Sequence, residues 1–331
     1  MAMELSEVMN QSGRVLEWAD RVTYKDVLSD EDKEIASALD QWAKKVGQTG
    51  FDEKHEISAL IRKSIAADDV EAPTELLDHI FDTGSIGEFD DYREEQDPKN
   101  TFKVHEATRG GNVDRSFINH KVLVPTWKNL QVETDLSLAD MRRGGYKTVA
   151  NMITMLKEAL DLKKYALIMN VLDTAITTGD NAISETTAAP TATSMDALAL
   201  YLHDVSDGDT PYVFGLNKYM QAIAKLTGVT TYLTDAVKTQ YNTRGFVAQY
   251  AGCELRGISG QKKLASGELL TPDKKIFGAA GKIGRIITRG DTVVLQETDI
   301  NSEKIHIKLG GYTFGTVLSA PEKVAKITMA Q

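Results

Sequence analysis

A glycine-rich loop near the C-terminal end of the chain is the closest approach to a nucleotide-binding motif. It reads GAAGKIG from Gly278 to Gly284. A Walker loop holds phosphates with backbone N–H groups and a lysine, and a following Ser or Thr binds magnesium. Here Ile276 occupies the position of the first glycine, and Ile283 occupies that of the Ser or Thr. We therefore predict a turn between two strands instead of a phosphate site.

Three aspartates in one short segment are the nearest approach to a calcium site. Asp204, Asp207 and Asp209 lie around Gly208, and carboxylate oxygens are ligands that Ca²⁺ prefers. Their spacing does not match the EF-hand loop, which needs acidic residues at fixed positions. We predict an ordinary loop that joins a helix to a strand.

Histidine and cysteine are too dispersed to form a local metal or nucleophile motif. None of the six histidines lies three or four residues from another, so no zinc-binding pair shares a helix face: His55, His79, His105, His120, His203 and His306. The single cysteine, Cys253, falls in a predicted strand, where a buried small hydrophobe is the expected role. No G-x-S-x-G elbow occurs. The sequence predicts no catalytic residue, no metal ligand and no cofactor.

Charge is distributed unevenly along the 331 residues, which are enough for two domains and a sizeable core. Residues 1–100 hold 25 Asp and Glu against 11 Lys and Arg, whereas the remainder holds 23 acids against 27 bases. The acidic part is either a solvated helical surface or an arm that docks on a more basic neighbour or repels nucleic acid. No dense basic cluster with interleaved aromatics occurs, which disfavours sequence-specific nucleic-acid recognition.

Other compositional features limit where the chain folds. One cysteine excludes an intrachain disulfide and favours a reducing compartment. The first twenty residues are acidic and lack the apolar core of a signal peptide. No window approaches the eighteen apolar residues of a membrane span. We therefore expect no membrane association.

Residues 1–97 read as several short amphipathic helices. Ser29 is a candidate cap for a helix from Asp30 to about Val46, and Asp52 for a second helix. A third helix follows Pro73 and has four apolar residues on one side: Leu76, Leu77, Ile80 and Phe81. Gly84 and Gly87 then interrupt the helical pattern.

A β-rich arm and one very long helix follow. Alternating residues predict two strands between Thr101 and Val124, and Arg109-Gly110-Gly111-Asn112 suits the tip of a hairpin. A free two-stranded hairpin is marginal in water, so its strands need another surface. The helix is predicted from Tyr146 to Thr178, about 50 Å at 1.5 Å per residue. Its second half is apolar on almost every side, which indicates burial on more than one face.

The remaining chain mixes helices and strands without regular alternation. A loop is predicted from Asn181 to Thr193, then a helix from Met195 to Val205. Asn217 is a candidate cap for a further helix. The predicted strands are Tyr212 to Leu216, Cys253 to Ile258, Ile283 to Thr288, Thr292 to Gln296, Lys304 to Lys308, Tyr312 to Leu318 and Val324 to Met329. This pattern is typical of an α+β protein.

The order of these elements resembles the major capsid protein of tailed bacteriophages, which has the Hong Kong 97 coat fold. Thr101 to Val124 looks like the hairpin that this family calls the E loop, and Tyr146 to Thr178 looks like its spine helix. Further matching segments are the strand Val132 to Leu136, the Gly-Asp turn within Thr177 to Asn181, the A-domain strand Tyr212 to Asn217 and the strand pair Gly245 to Leu255. The resemblance covers roughly residues 98–331 and rests on element order.

The resemblance implies an α+β, Hong Kong 97-like capsid fold with five regions. These are an acidic helical N-terminal arm (1–97), the E-loop hairpin (98–127), the P-domain strand and spine helix (128–193), the A domain (194–285) and the returning β-strands of the A and P domains (286–331). Some relatives carry an N-terminal scaffolding segment that a protease removes. Here the N-terminal segment is more helical than a simple extended arm, and we favour a permanent arm.

The resemblance also implies a structural role without catalysis. Such subunits assemble as hexamers and pentamers into an icosahedral shell around double-stranded DNA, which they contact without sequence readout. Scaffold, portal and decoration proteins are the implied partners, and the virion capsid, assembled in the host cytoplasm, is the implied location. In the E loop, Arg109, Gly110, Gly111 and Arg115 are the implied inter-subunit contacts, although simple solvent exposure explains the two arginines equally well.

Two other functions remain open at this stage. An encapsulin, the shell protein of bacterial nanocompartments, looks similar in fold. A soluble α+β enzyme is also compatible, because catalytic groups can assemble from distant positions. A deep pocket lined by convergent titratable groups would favour the enzyme.

Overall fold

The computed structural model describes residues 12–24, 28–49, 75–96, 121–177, 179–226, 247–290, 293–299 and 304–330. Its helices are α1 (Ser12–Tyr24), α2 (Asp30–Thr49), α3 (Glu75–Ile80), α4 (Leu138–Gly144), α5 (Tyr146–Ala175), α6 (Ala192–Asp204) and α7 (Asn217–Ile223). Its strands are β1 (Phe81–Ile86), β2 (Glu94–Gln96), β3 (Lys121–Leu123), β4 (Thr126–Ser137), β5 (Ala182–Ser184), β6 (Tyr212–Leu216), β7 (Gln249–Tyr250), β8 (Cys253–Ile258), β9 (Lys275–Ala279), β10 (Gly284–Arg289), β11 (Val293–Asp299), β12 (Lys304–Leu318) and β13 (Val324–Thr328).

The predicted long helix is α5, the spine helix. It has 30 residues, about 45 Å of axis at 1.5 Å per residue. It ends before the predicted Thr178 because Ile176 takes an extended conformation, with φ −107° and ψ 94°. Buried residues lie on more than one side of it, including Val149, Ile153 and Ile168. This burial matches the nearly all-apolar pattern of its second half.

A five-stranded sheet packs against the spine helix. Its order is β1-β10-β12-β11, and β4 pairs with the other side of β12. In β12 the buried Ile305, Ile307 and Leu309 alternate with half-exposed polar residues, as expected when one face of a sheet meets the core. The sequence predicted two strands here. The structure has one strand, because a register shift between Leu309 and Tyr312 absorbs the glycines between them without ending the pairing.

Part of the region predicted to be helical is a strand. Phe81 begins β1 instead of ending a helix, and β1 pairs in parallel with β10 from Phe81 opposite Gly284 to Ile86 opposite Arg289. The glycine at position 84 lowers strand propensity but does not prevent pairing with an available edge. The predicted third helix is therefore wrong at Phe81, and β1 and β2 lie mostly where the helical pattern was predicted to break, although no strand was predicted there.

A six-stranded sheet carries the second core. Its order is β5-β13-β9-β6-β8-β7, and α6 and α7 contribute Met195, Leu198 and Met220 to the apolar cluster beside it. The predicted bounds of β6 and β8 are confirmed. Asn217 is the first residue of α7 and makes no capping bond, since Leu216 holds the N-cap position. The predicted loop 181–193 contains β5 and the start of α6, which Thr191 caps through Ser194.

The two N-terminal helices pack on the spine helix. Val15, Trp18 and Ala19 of α1 are fully buried in the same cluster as Val149 and Ile153 of the spine. Ser29 caps α2 as predicted, because its Oγ accepts from Asp32 N–H and Asp32 Oδ2 accepts from Ser29 N–H. These helices are part of the core, in contrast to an arm extended into solvent.

Several predictions lie outside the described residues. They are the helix after Asp52, the strands and tip of the hairpin between residues 97 and 120, and the start of the glycine-marked pair at residues 245–246. The base of the hairpin is described: β2 and β3 pair antiparallel, with Glu94 opposite Leu123. Within the described residues, no helix is long and apolar enough to cross a membrane.

Candidate functional site

The glycine-rich loop forms a turn between β9 and β10, as predicted. Gly281 has φ 75°, a left-handed conformation that favours glycine. Lys282 Nζ donates to the carbonyl oxygens of Asp78 and Phe81, the latter at 2.8 Å, and lies 3.2 Å from Asp82 Oδ1. This lysine therefore satisfies carbonyls at the carboxyl end of α3, a common role for a cation at that position. It is occupied by the chain itself and is not presented to a phosphate.

The three aspartates after α6 do not converge. Asp207 pairs with Lys323 at 2.8 Å and has φ 48°, which fits a tight turn. The backbone N–H of Asp209 donates to Ser206 at 2.8 Å, closing that turn. No group of three His, Cys, Asp or Glu residues among those described is placed to hold a metal ion. The predicted loop is confirmed.

Cys253 and His203 meet in space although 50 residues separate them in sequence. Their Sγ and Nε2 atoms are 3.9 Å apart, while His203 Nε2 lies 2.7 Å from the carbonyl oxygen of Ala251. Cys253 is fully buried, and burial raises the pKa of its thiol to about 11. A neutral buried thiol is a poor nucleophile, so this pair is structural.

An apolar concavity that suits a protein partner lies between β4 and the spine helix, and we call it the spine groove. Its volume is about 600 Å³. Val132, Thr134 and Leu136 face it because alternate residues of β4 point toward the helix. Met152 and Leu156 line the helix side, and Met155 is 62% exposed at its mouth. Its other lining residues are Glu133, Asp135, Asp140, Arg143, Gly144, Thr148, Asn151 and Ala159.

Two acids at the rim of the spine groove are already paired with β12. Glu133 lies 2.7 Å from Lys308 Nζ, and Asp135 Oδ1 lies 2.5 Å from His306 Nδ1, with Lys304 3.5 Å away. The hydrogen bond from His306 lowers the pKa of Asp135 below its usual range. Glu133 and Asp135 are therefore already neutralised within the chain, beside the apolar floor of the groove.

Comparison with solved structures identifies the architecture. The capsid of a native GTA particle superposes with a TM-score of 0.58 at 10% identity, covering 77% of this chain and 90% of that chain. The mature capsid of bacteriophage PhiM1 gives 0.52 at 10% identity, covering 76% and 86%. The capsid of cyanophage P-SCSP1u gives 0.50 at 13% identity, covering 77% and 88%. This chain has the Hong Kong 97 coat fold. No family model and no curated protein matches it in sequence.

The described base of the predicted hairpin is formed by β2 and β3. Exposed apolar residues lie at this base, with Val122 48% and Val124 67% exposed. Arg289 anchors the adjoining turn, because its guanidinium stacks 5.2 Å above Trp127 while its Nε donates to the carbonyl of Glu88 at 2.7 Å. The base of the predicted hairpin therefore carries two apolar side chains, Val122 and Val124, that are open to another surface.

The predicted E-loop contacts Arg109, Gly110, Gly111 and Arg115 lie outside the described residues and stay predictions. Sequence reasoning did not find the spine groove itself. Its two walls, β4 and the spine helix, were both predicted, but the gap between them depends on how a strand and a helix pack. In the sequence, Met155 is an apolar residue that lies off the stripe of Met152 and Leu156, and this position was an available signal.

Proposed function

We propose that this chain is a major capsid protein that assembles into an icosahedral shell of hexamers and pentamers around double-stranded DNA. The observation that carries the proposal is the coat fold shared with the capsids of a GTA particle and two phages across three quarters of the chain. The subunit would reside in the virion capsid after assembly in the host cytoplasm. Portal, scaffold and decoration proteins are its proposed partners.

The spine groove is the proposed receptor for the E loop of a neighbouring subunit. Met155 at its mouth is an unbranched, adaptable side chain of the kind enriched at interface cores. The E-loop sequence offers apolar residues such as Phe102, Val104 and Phe117 for its floor. A strand pair that is marginal alone would gain the missing surface from the neighbour. Repetition of this contact in closed symmetry produces a shell.

At the E-loop tip, Gly110 and Gly111 are proposed to form the turn and Arg109 and Arg115 to contact acidic groups of the adjoining subunit. Arginine suits this role because its guanidinium binds carboxylates bidentately. Packaged DNA would meet the shell through its phosphates, without base readout.

An enzyme is less well supported. A second hollow, of about 610 Å³, lies beside β1 and contains Asp78, Asp82, Lys282 and Arg285. These groups are tied to the protein: Lys282 to Asp82 and two carbonyls, and Arg285 to the hydroxyl of Tyr92 at 2.8 Å. Paired groups of this kind stabilise a fold and do not converge on a substrate.

The test is assembly of the purified protein, viewed by negative-stain microscopy. We expect closed shells from the native chain, with portal and scaffold supplied if needed. A protein that stays monomeric at high concentration under these conditions would overturn the proposal.

A single substitution tests the groove. Met155→Lys places a charge at the mouth of the apolar floor, so we expect shell yield to fall at least tenfold while the subunit keeps its circular dichroism spectrum. Asn170→Lys is the matched control, because it adds the same charge to an exposed position of the same helix outside the groove. Normal shells from Met155→Lys would exclude the groove as a contact.

A further inference from the structure

The spine helix receives its N-terminal cap from another helix. Gly145 occupies the N-cap position with φ 52° and ψ −131° and offers no side chain. The first N–H groups of a helix need acceptors, and a carboxylate is favoured there by the helix dipole. Asp40 of α2 supplies one, since its Oδ1 accepts from Tyr146 N–H at 3.0 Å across 106 residues of sequence.

Gly145 is the residue that allows this approach. A Cβ atom placed on it would lie 2.2 Å from Asp40 Oδ1, far inside van der Waals contact. Its backbone conformation is also one that residues with a side chain rarely adopt. Asp40 and Gly145 therefore form one capping unit. We expect a substitution at one of them to alter the effect of a substitution at the other.

The N-terminal helices also cover one side of the spine helix. Trp18 is fully buried, and its ring centroid lies 6.0 Å from that of Tyr146. Along the same side, Asp20 Oδ1 accepts from Thr154 Oγ1 at 2.9 Å, and Thr23 Oγ1 donates to Asn151 Oδ1 at 3.1 Å. The contact thus extends from the first residue of the helix over its first three turns.

A further ion pair joins the two N-terminal helices to each other. Arg21 Nε and Nη2 donate to the two carboxylate oxygens of Asp32 at 3.0 and 2.7 Å. Asp32 is 2% exposed and also accepts from the backbone of Ser29. A bidentate pair at this position fixes the angle between α1 and α2, so the two helices meet the spine together.

We propose that residues 12–49 are a built-in cap and cover for the spine helix and stay with the subunit permanently. The capping of the spine helix by Asp40 does not depend on the proposed function. Retention in an assembled shell rests on the proposed function, in which the spine would offer a neighbour only its groove side. A removable segment would instead leave Tyr146 uncapped and the apolar side next to Trp18 open to water.

A double-mutant cycle on the unassembled subunit tests the capping unit. Asp40→Ala should lower the midpoint of thermal unfolding by roughly 2–6 °C, as loss of a helix cap does, whereas Glu34→Ala, an exposed change on the same helix, should leave it unchanged. Gly145→Ala should lower the midpoint more in the native background than in the Asp40→Ala background. In the second background the carboxylate that would clash with the new Cβ atom has been removed. Strictly additive effects of the two substitutions on the midpoint would show that Asp40 and Gly145 do not form a capping unit.

A second experiment remains informative if Gly145→Ala fails to fold. A specific protease site is inserted between residues 50 and 74, and the subunit is cut and examined by size-exclusion chromatography. We expect the N-terminal fragment to co-elute with the remainder, with tryptophan fluorescence still that of buried rings. If the fragment separates and the unfolding midpoint of the remainder is unchanged, residues 12–49 are not a cover that the spine helix requires. Shells that form and then release the fragment would overturn retention alone.

Discussion

Asp173 joins the carboxyl end of the spine helix to the six-stranded sheet. Its two carboxylate oxygens accept from Lys275 at 2.6 Å and Lys326 at 2.8 Å, and Lys326 also donates to the carbonyl of Asp173. Burial alone would raise the pKa of Asp173, but the hydrogen bonds from Lys275 and Lys326 outweigh it and lower the pKa. Two cations at a helix C-terminus also complement the helix dipole.

Asp173→Ala should destabilise the subunit by about 1.5–3 kcal/mol, because Lys326, only 9% exposed, would lose its charged partner. Chemical denaturation at pH 7 measures the loss. Since the pKa of Asp173 is lowered in the folded state, its contribution is complete above the ordinary carboxyl pKa of about 4 and disappears as the pH falls through the lowered value. The native chain and the variant should therefore converge in stability in strong acid. A constant difference between them at every pH would contradict this account.

Single residues could be assigned from the sequence only where their partners are close along the chain. Ser29 was predictable as a cap because Asp32 lies three residues away. Asp40 was not, since the helix that it caps begins 106 residues later. The motif was enough to reject Lys282 as a phosphate ligand. Its acceptors could not be predicted, because they lie at the end of α3, about 200 residues earlier in the chain.

Helices and strands could likewise be predicted only where the signal for them is local in the sequence. β6 and β8 were predicted to the residue because β6 is a short apolar run, β8 alternates apolar with polar residues, and turn residues or helix starts delimit both. β1 was missed because its sequence, FDTGSI, has weak strand propensity and pairs only through β10, about 200 residues later. The sheet orders rest on pairings of this kind, and no periodicity in one segment encodes them.

Removal of the tip of the proposed E loop would discriminate between effects on the fold and effects on assembly. Deleting residues 109–115 should leave the unfolding midpoint of the unassembled subunit unchanged, because β2 and β3 pair below the deletion. Under the proposed function, shell yield or shell stability should fall, because the shortened loop would no longer reach the neighbouring subunit. Microscopy and calorimetry of the same preparation measure both. Normal shells with unchanged thermal stability would contradict the proposed role of the hairpin.

At the scale of the whole molecule, β12 is the strand on which the five-stranded sheet depends. It pairs with β10 and β11 on one side and with β4 on the other. A chain that ends at residue 303 lacks β12 and also β13, an inner strand of the six-stranded sheet, and should therefore show no cooperative unfolding transition, although it keeps the spine helix and both N-terminal helices. Calorimetry against the full chain measures this. A cooperative transition in the shortened chain would mean that the other strands organise without their centre.

The late position of β12 in the chain also delays completion of the five-stranded sheet during synthesis. β4 leaves the ribosome about 180 residues before β12 is complete, roughly 10–40 s at ordinary rates of translation. During this interval β4, one wall of the spine groove, lacks the strand that pairs with it. Under the proposed function, only a molecule translated through residue 318 would have a completed groove wall and be competent to join another.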